Sequence, residues 1–207
     1  MANVNLAVIY YSATGTNYQL ARWAAESGQQ AGAQVKVLRV EELASQDVID
    51  KNEAWKAHRE KAKDVPIATV EDLVWADAII FSVPSRFGNI PSEMKQYLDG
   101  TGEVWSQGKL VNKVVSAMSS ADHPHGGQES TIKALYTTMM HWGAIIAAPG
   151  YSDPSIFLAG GNPYGTSVTV DKEHHQIKDA ESAVRYQGAR TVTISSWIKQ
   201  GRNRWNE

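Results

Sequence analysis

Hydrophobic positions along the chain alternate between two kinds of pattern. Val4 to Tyr11 is an apolar run of strand length rich in β-branched residues, closed by the small polar set Ser12-Ala13-Thr14-Gly15-Thr16-Asn17. Leu20, Trp23, Ala24, Ser27 and Ala31 then recur at helical spacing, and Gly32 marks the stop. Val35 to Val40 alternates like a second strand, and Asp77 to Pro84 is a third, apolar throughout and stopped by proline. Val111 to Met118 reads as a fourth strand and Gly143 to Pro149 as a fifth. Between them Ile132, Leu135, Tyr136, Met139 and Met140 mark a helix face; Ala180, Ala183, Val184, Gln187, Thr191, Ile194, Ser195 and Ile198 mark another near the C-terminus. The charged stretch Glu41 to Asp64 reads as helical or mobile and exposed.

Continuously apolar strands alternating with helices predict an α/β fold: a doubly wound, five-stranded parallel sheet in a three-layer sandwich, with right-handed crossovers. One domain over residues 1-207 is expected. Ligands of such sheets bind beyond the carboxyl ends of the strands, which directs attention to the segments after the first, third and fourth strands. The Pro149 to Asp179 segment is too long for an idle loop, and an ordered excursion at a subunit interface is expected there.

Composition narrows the function classes. Twenty Lys and Arg against 22 Asp and Glu give a net charge of -2, so no basic excess is available to neutralise a nucleic-acid backbone. The absence of cysteine removes disulfides, thiolate nucleophiles and thiolate metal sites, and fits a reducing cytoplasm. No apolar run approaches the roughly 18 residues of a membrane span, and the N-terminus enters a strand-like run without a basic leader. Seven Trp is high for 207 residues, and such surfaces fill cores or line sites for flat ligands. Trp23, Trp55, Trp75, Trp142 and Trp197 are assigned to core or interface.

The three loops supply the chemistry. Ser12 to Asn17 follows a strand and opens a helix, so a phosphate there would meet backbone N–H groups, hydroxyls and the positive end of the helix dipole. It carries no Lys or Arg, which favours a single terminal phosphate over a nucleoside triphosphate. No Gly-x-Gly-x-x-Gly follows the first strand, against a dinucleotide fingerprint. The second loop, Pro84 to Ser92, presents Arg86 and Phe87 beside Gly88, suited to the edge of a flat heteroaromatic ring. The third, Ser119 to Gln128, is again polar and Gly-bearing. One phosphate loop and two ring loops describe a mononucleotide lying across the sheet edge.

Ser12-x-Thr14-Gly15-x-Asn17 resembles the phosphate loop of flavodoxins. Pro84-Ser85-Arg86-Phe87-Gly88-Asn89, with Gly126-Gly127-Gln128-Glu129, Gly161-Asn162-Pro163-Tyr164-Gly165 and Arg185-Tyr186-Gln187-Gly188, is similar to the WrbA family of FMN-dependent NAD(P)H:quinone oxidoreductases. The resemblance covers nearly the whole chain. It implies a flavodoxin-like sheet of order 2-1-3-4-5, with family insertions near 41-64 and 149-179. It also implies non-covalent FMN, a homotetramer, and two-electron reduction of quinones by NADH or NADPH.

By the same resemblance, the phosphate contacts fall on Ser12, Ala13, Thr14, Gly15, Thr16 and Asn17, and ring contacts on Pro84, Ser85, Arg86, Phe87 and Gly88. A third set falls on Ser119, Ser120, Ala121, Asp122, Gly126 and Gly127. His141 is implied to flank the ring and to be the catalytic proton donor or quinone partner. Trp105 and Phe87 are implied to contact the substrate, and Thr14 the nicotinamide nucleotide. The family often has an aromatic residue at the position of Thr14, and its third loop is shorter and richer in Gly.

No metal is expected: His123, His125, His174 and His175 stand in two clusters without the carboxylate pattern of a metal site. A competing reading is an electron-transfer flavodoxin shuttling single electrons to protein partners, which usually docks through a strongly acidic surface; -2 disfavours it. A DNA-associated role is disfavoured by the lack of a basic stripe.

Overall fold

The computed structural model describes residues 3–205 apart from 172, 174 and 177, with side chains described to residue 201. In chain order the elements are β1 (Val4–Tyr10), α1 (Thr16–Gln30), β2 (Ala33–Arg39), α2 (Gln46–Ile49), α3 (Glu53–Lys61), α4 (Val70–Trp75) and β3 (Ala78–Pro84). They continue with α5 (Ser92–Asp99), α6 (Gly102–Ser106), β4 (Val114–Ala121), α7 (Gln128–His141), β5 (Ile145–Ile146), α8 (Pro154–Leu158), β6 (Ser167–Thr169) and α9 (Glu181–Trp205). All strand pairs are parallel and the order is β2-β1-β3-β4-β5, as the resemblance implies.

Side chains of β1 and β3 are buried on both faces because helices cover both. One core layer joins Ile9, Phe81, Met94, Leu135 and Met139 under α5 and α7. The other joins Leu6, Val8, Leu20, Ile80 and Val184 under α1 and α9. Helices α1 and α9 touch closely at Gly188, where a Cβ would fall 2.3 Å from Ser27 Oγ and 2.7 Å from the Ala24 carbonyl oxygen.

The edge beyond β4 departs from the simple pattern. The fifth strand, expected over Gly143 to Pro149, pairs only through Ile145 and Ile146 with Val114 and Val115. The chain then leaves the sheet, forms α8, and returns as β6 beside Ser119 to Ala121. β5 and β6 thus cover successive parts of the same edge, which would otherwise leave ladder groups unpaired.

Two buried side chains hold the return. Gln187 of α9 accepts from Thr166 N and Oγ1, both at 2.8 Å, and donates to Ser116 Oγ at 2.6 Å and the Ala117 carbonyl at 2.9 Å. Tyr136 accepts from Ala117 N at 3.1 Å and donates to the Tyr164 carbonyl at 2.6 Å; burial pushes its phenol up to about 12. The 149–179 segment therefore has work inside the sheet, beyond the interface role expected of it.

The 41–64 stretch is largely exposed, as expected, and contains α2 and α3, with Ile49, His58 and Ala62 buried. Trp142 is buried edge-on to Phe81, with centroids 6.4 Å apart, whereas Trp197 is exposed. Among the described residues no helix is long and apolar enough to cross a membrane.

Candidate functional site

The carboxyl ends of β1, β3 and β4 open into one crevice of about 510 Å³, within the range of small-molecule sites. Gly15 opens α1 with φ +106°, and its N–H donates to Ser12 Oγ at 3.0 Å, tightening the first loop. The amides of Ala13, Thr14, Thr16 and Asn17 have no protein acceptor among the described residues. They lie at the positive end of α1, where backbone N–H groups and the helix dipole favour a phosphate. Asn17 is buried, and its side chain braces the sheet: Nδ2 donates to Ser120 Oγ at 2.7 Å and Oδ1 accepts from Ser82 Oγ at 3.1 Å. Its backbone amide remains for a ligand.

The second loop is a tight reversal. Arg86 N donates to the Asn89 carbonyl at 3.0 Å and Asn89 N to that of Arg86 at 2.9 Å. Phe87 and Gly88 between them have φ +53° and +75°, the signs of a type I′ turn. A bulky residue in this region is strained by about 1–3 kcal/mol, and the conformation leaves the Phe87 side chain wholly exposed at the crevice mouth.

Ser85 locks this loop to the third. Its Oγ donates to the Gly126 carbonyl at 2.7 Å and accepts from Gly88 N at 3.2 Å and Thr131 Oγ1 at 3.0 Å. Gly88 and Gly127 meet backbone to backbone, since a Cβ on Gly127 would lie 2.4 Å from Gly88 Cα. Ser120, Ala121, Asp122 and Gly126 line the third side, with His123, whose carbonyl accepts from Gln128 Nε2 at 3.0 Å.

A fourth wall was hidden from the sequence. Asn52, just before α3, and Trp55 in its first turn line the crevice, with Val170 beyond β6. Asn52 caps α3 by accepting from Trp55 N at 3.0 Å, and Trp55 Nε1 donates to Glu42 Oε2 at 3.1 Å. Trp55 is a site residue here rather than core. A lone Trp in a charged helix with no apolar partners was the available signal.

Most predicted residues come together: Ser12, Ala13, Thr14, Thr16, Asn17, Pro84, Ser85, Arg86 and Phe87, with those of the third loop just named. Gly15, Gly88 and Gly127 shape the backbone behind the walls, and Ser119 is fully buried with its hydroxyl unpartnered. His141 and Trp105 are not brought to this crevice within the chain. Gly127 opens α7 beside the crevice and His141 ends it 14 residues on, about 21 Å away at 1.5 Å per residue. Trp105, in α6, donates from Nε1 to the His141 carbonyl at 2.8 Å, so the two form one exposed pair.

Of the histidine clusters, His125 is exposed and His174 lies outside the described residues. Nδ1 of His175 lies 3.7 Å from Asp171 and 3.6 Å from Glu173, all three exposed, in a turn where Asp171 Oδ1 accepts from Glu173 N and His175 N.

A parallel sheet of order 2-1-3-4-5 with an uncharged phosphate cradle after its first strand defines the class: a flavodoxin-like, mononucleotide-binding protein. The solved structures agree on the fold. A WrbA-like flavodoxin from Agrobacterium tumefaciens superposes with a TM-score of 0.62 at 19% identity, over 95% of this chain and 99% of that one. The Megasphaera elsdenii flavodoxin gives 0.54 at 15% identity, over 91% and 98%.

The family model of NADPH-dependent FMN reductases matches residues 4–153. An NAD(P)H dehydrogenase (quinone) of Deinococcus radiodurans is 51% identical over 94% of this chain and 97% of its own length. One of Geotalea daltonii is 38% identical over 91% and 95%. The chain belongs to this enzyme family, in its NAD(P)H dehydrogenase (quinone) branch, to which the WrbA resemblance pointed.

Proposed function

We propose that this chain is an FMN-dependent NAD(P)H:quinone oxidoreductase, and the neutral cradle beside an exposed aromatic turn is the observation that carries the reading. The site fits FMN: four unpaired amides and three hydroxyls await one phosphate, and the crevice is of mononucleotide size. FMN, when bound, supplies hydride acceptance from a reduced nicotinamide and two-electron delivery to a quinone.

The amides of Ala13, Thr14, Thr16 and Asn17, with the Ser12, Thr14 and Thr16 hydroxyls, would hold its phosphate. Ser85, Arg86 and the third loop would fix the ring, with Gly126 and Ser85 already locked together. Phe87 walls an apolar face that admits one flat ligand at a time, so nicotinamide and quinone bind in turn. That predicts ping-pong kinetics.

Trp105 and His141 enter this reading through assembly. They form one exposed pair at the far end of α7, placed to wall the crevice of a neighbouring copy in a homotetramer. There His141 would hold a proton for the quinone oxygen, an assisting role. The cytoplasm, where reduced nicotinamides are held, is the compartment this reading assigns.

Purified protein is expected to be yellow and to release FMN on denaturation. NADH is expected to bleach it rapidly, and double-reciprocal plots across varied quinone are expected to be parallel. A colourless protein that does not take up FMN would overturn the cofactor assignment, and intersecting lines would overturn the shared pocket.

A further inference from the structure

Beside the phosphate loop lies a second cavity, of about 120 Å³, roofed by α3 and sharing only Ser12 with the crevice. Arg39 at the end of β2, Arg59 of α3 and Lys63 just beyond it face this space. Lys63 is paired with Glu60. Arg39 uses Nε on the Val65 carbonyl at 3.0 Å, and among the described residues no ion pair joins Arg39 or Arg59 to a carboxylate. The one carboxylate in the wall, Glu42, is already taken by Ala44 N at 3.0 Å, Trp55 Nε1 at 3.1 Å and the Tyr11 hydroxyl at 3.3 Å.

Tyr10 makes the acceptor deficit explicit. It is 1% exposed, lines the cavity, and its hydroxyl has no hydrogen-bond partner among the described residues. Burial and the neighbouring Tyr18 push its phenol well up, against the opposing pull of Arg39 and Arg59, so it remains an O–H donor. A buried donor without an acceptor is destabilising, and an anion in the cavity would relieve it. Two guanidiniums, an ammonium and an orphaned phenol lining one small cavity are the donor set of an oxyanion.

We propose that this cavity is a phosphate site, taking orthophosphate or the 2′-phosphate of an adenine dinucleotide. Its volume is about four times the roughly 30 Å³ share of a water molecule, room for a tetrahedral oxyanion but not for a sugar or base. A dinucleotide would therefore insert only its phosphate. The site is tied to the crevice through α3, which sends Trp55 into the crevice and Arg59, four residues on and so on the same helix face, into the cavity.

His58 is the built-in reporter. It is buried, its ring lies 5.4 Å from that of Tyr18 and tilted 50° to it, and its Nδ1 lies 3.4 Å from where a Cβ on Gly15 would stand. Burial, then Lys61 and Arg59, push it down to about 4. The other groups facing it across the cavity are Tyr10 and Tyr11 of the β1 end, Arg39 of β2, Glu42 and Lys63. An oxyanion among them favours the protonated imidazole and raises its titration.

The test uses the full chain loaded with FMN, whose own phosphate occupies the Ser12 to Asn17 loop, in a chloride buffer. Calorimetric titrations with orthophosphate, adenosine 2′-phosphate and adenosine are run beside NMR titration of the His58 imidazole. Saturable binding of one oxyanion per chain is expected, with the His58 midpoint moving up. Arg59→Gln and Tyr10→Phe, each still retaining FMN, are expected to weaken binding roughly tenfold.

Tighter binding of adenosine 2′-phosphate than of orthophosphate, with Arg59→Gln raising KM for NADPH and not for NADH, assigns the dinucleotide as source. Binding of orthophosphate alone assigns the free anion. The proposal falls if neither oxyanion binds, if both variants bind as wild type does, or if His58 does not respond. Only the dinucleotide source rests on the proposed activity. Phosphate binding in a protein that fails to oxidise NAD(P)H would sink that activity and leave the site standing.

Discussion

Phe87 carries the sharpest conflict between backbone and use. Its φ of +53° suits Gly or Asn, yet the residue is Phe and its ring stands free of the rest of the chain. Replacing it with Gly releases strain of about 1–3 kcal/mol and concedes about 0.5–1 kcal/mol of extra chain entropy in the unfolded state. Phe87→Gly is therefore expected to leave the thermal midpoint unchanged or raise it, while KM for quinone rises as the apolar wall disappears. A variant that melts lower and keeps wild-type quinone kinetics would show that the ring serves packing and not ligands.

At the level of elements, the excursion that ends in β6 depends on one buried side chain. Gln187→Leu removes four hydrogen bonds and leaves Thr166 N, the Thr166 and Ser116 hydroxyls and the Ala117 carbonyl to find new partners. Each buried group left unmade costs about 1–3 kcal/mol, so a loss of several kcal/mol is expected. Hydrogen exchange should localise it: amides of Ser119 and Val170, bonded to the Thr166 and Ala121 carbonyls, open first, while those of β1 and β3 stay protected. Uniform loss of protection would contradict that local role.

The same edge marks where the sequence stops being readable. β1 and β3 are apolar almost throughout, and β4 begins so, which makes their existence legible from pattern; β4 starts and ends three residues later than expected, taking Ser119 to Ala121 of the third loop into the strand. Gly143 to Pro149 looks equally apolar, but only Ile145 and Ile146 pair, because β6 takes the rest of the edge of β4. Ser167-Val168-Thr169 is too short and too polar to announce itself; its position is set from Gln187 and Tyr136, distant in sequence. Trp55 stands out in the sequence only as a lone Trp in a charged helix; the partner that holds it at the site, Glu42, is thirteen positions away. His141 and Trp105 enter through resemblance, and no periodicity reveals that α7 carries His141 away from the crevice of its own chain.

At the scale of the whole molecule, the proposed walls of the substrate cage do not meet within one chain. Phe87 stands fully exposed at the crevice mouth, and the Trp105–His141 pair lies about 21 Å off at the other end of α7. Apolar surface is also left open on α7 and around α8, at Met140, Tyr151, Phe157 and Leu158, with the Tyr151 and Phe157 rings stacked at 5.3 Å. Soluble homo-oligomers close by symmetry, and two-fold axes place one patch against another, so a D2 tetramer can bring the far end of one chain to the mouth of the next. If the substrate cage is completed in this way, dilution removes activity together with mass. Light scattering and NADH oxidation followed over one dilution series, with FMN held saturating so that cofactor loss does not imitate dissociation, should fall with a common midpoint. Trp105→Ala should shift neither FMN affinity nor the mass curve by more than about twofold, a fraction of a kcal/mol, while raising KM for quinone in the assembled form. Full activity in a demonstrated monomer would refute the shared cage.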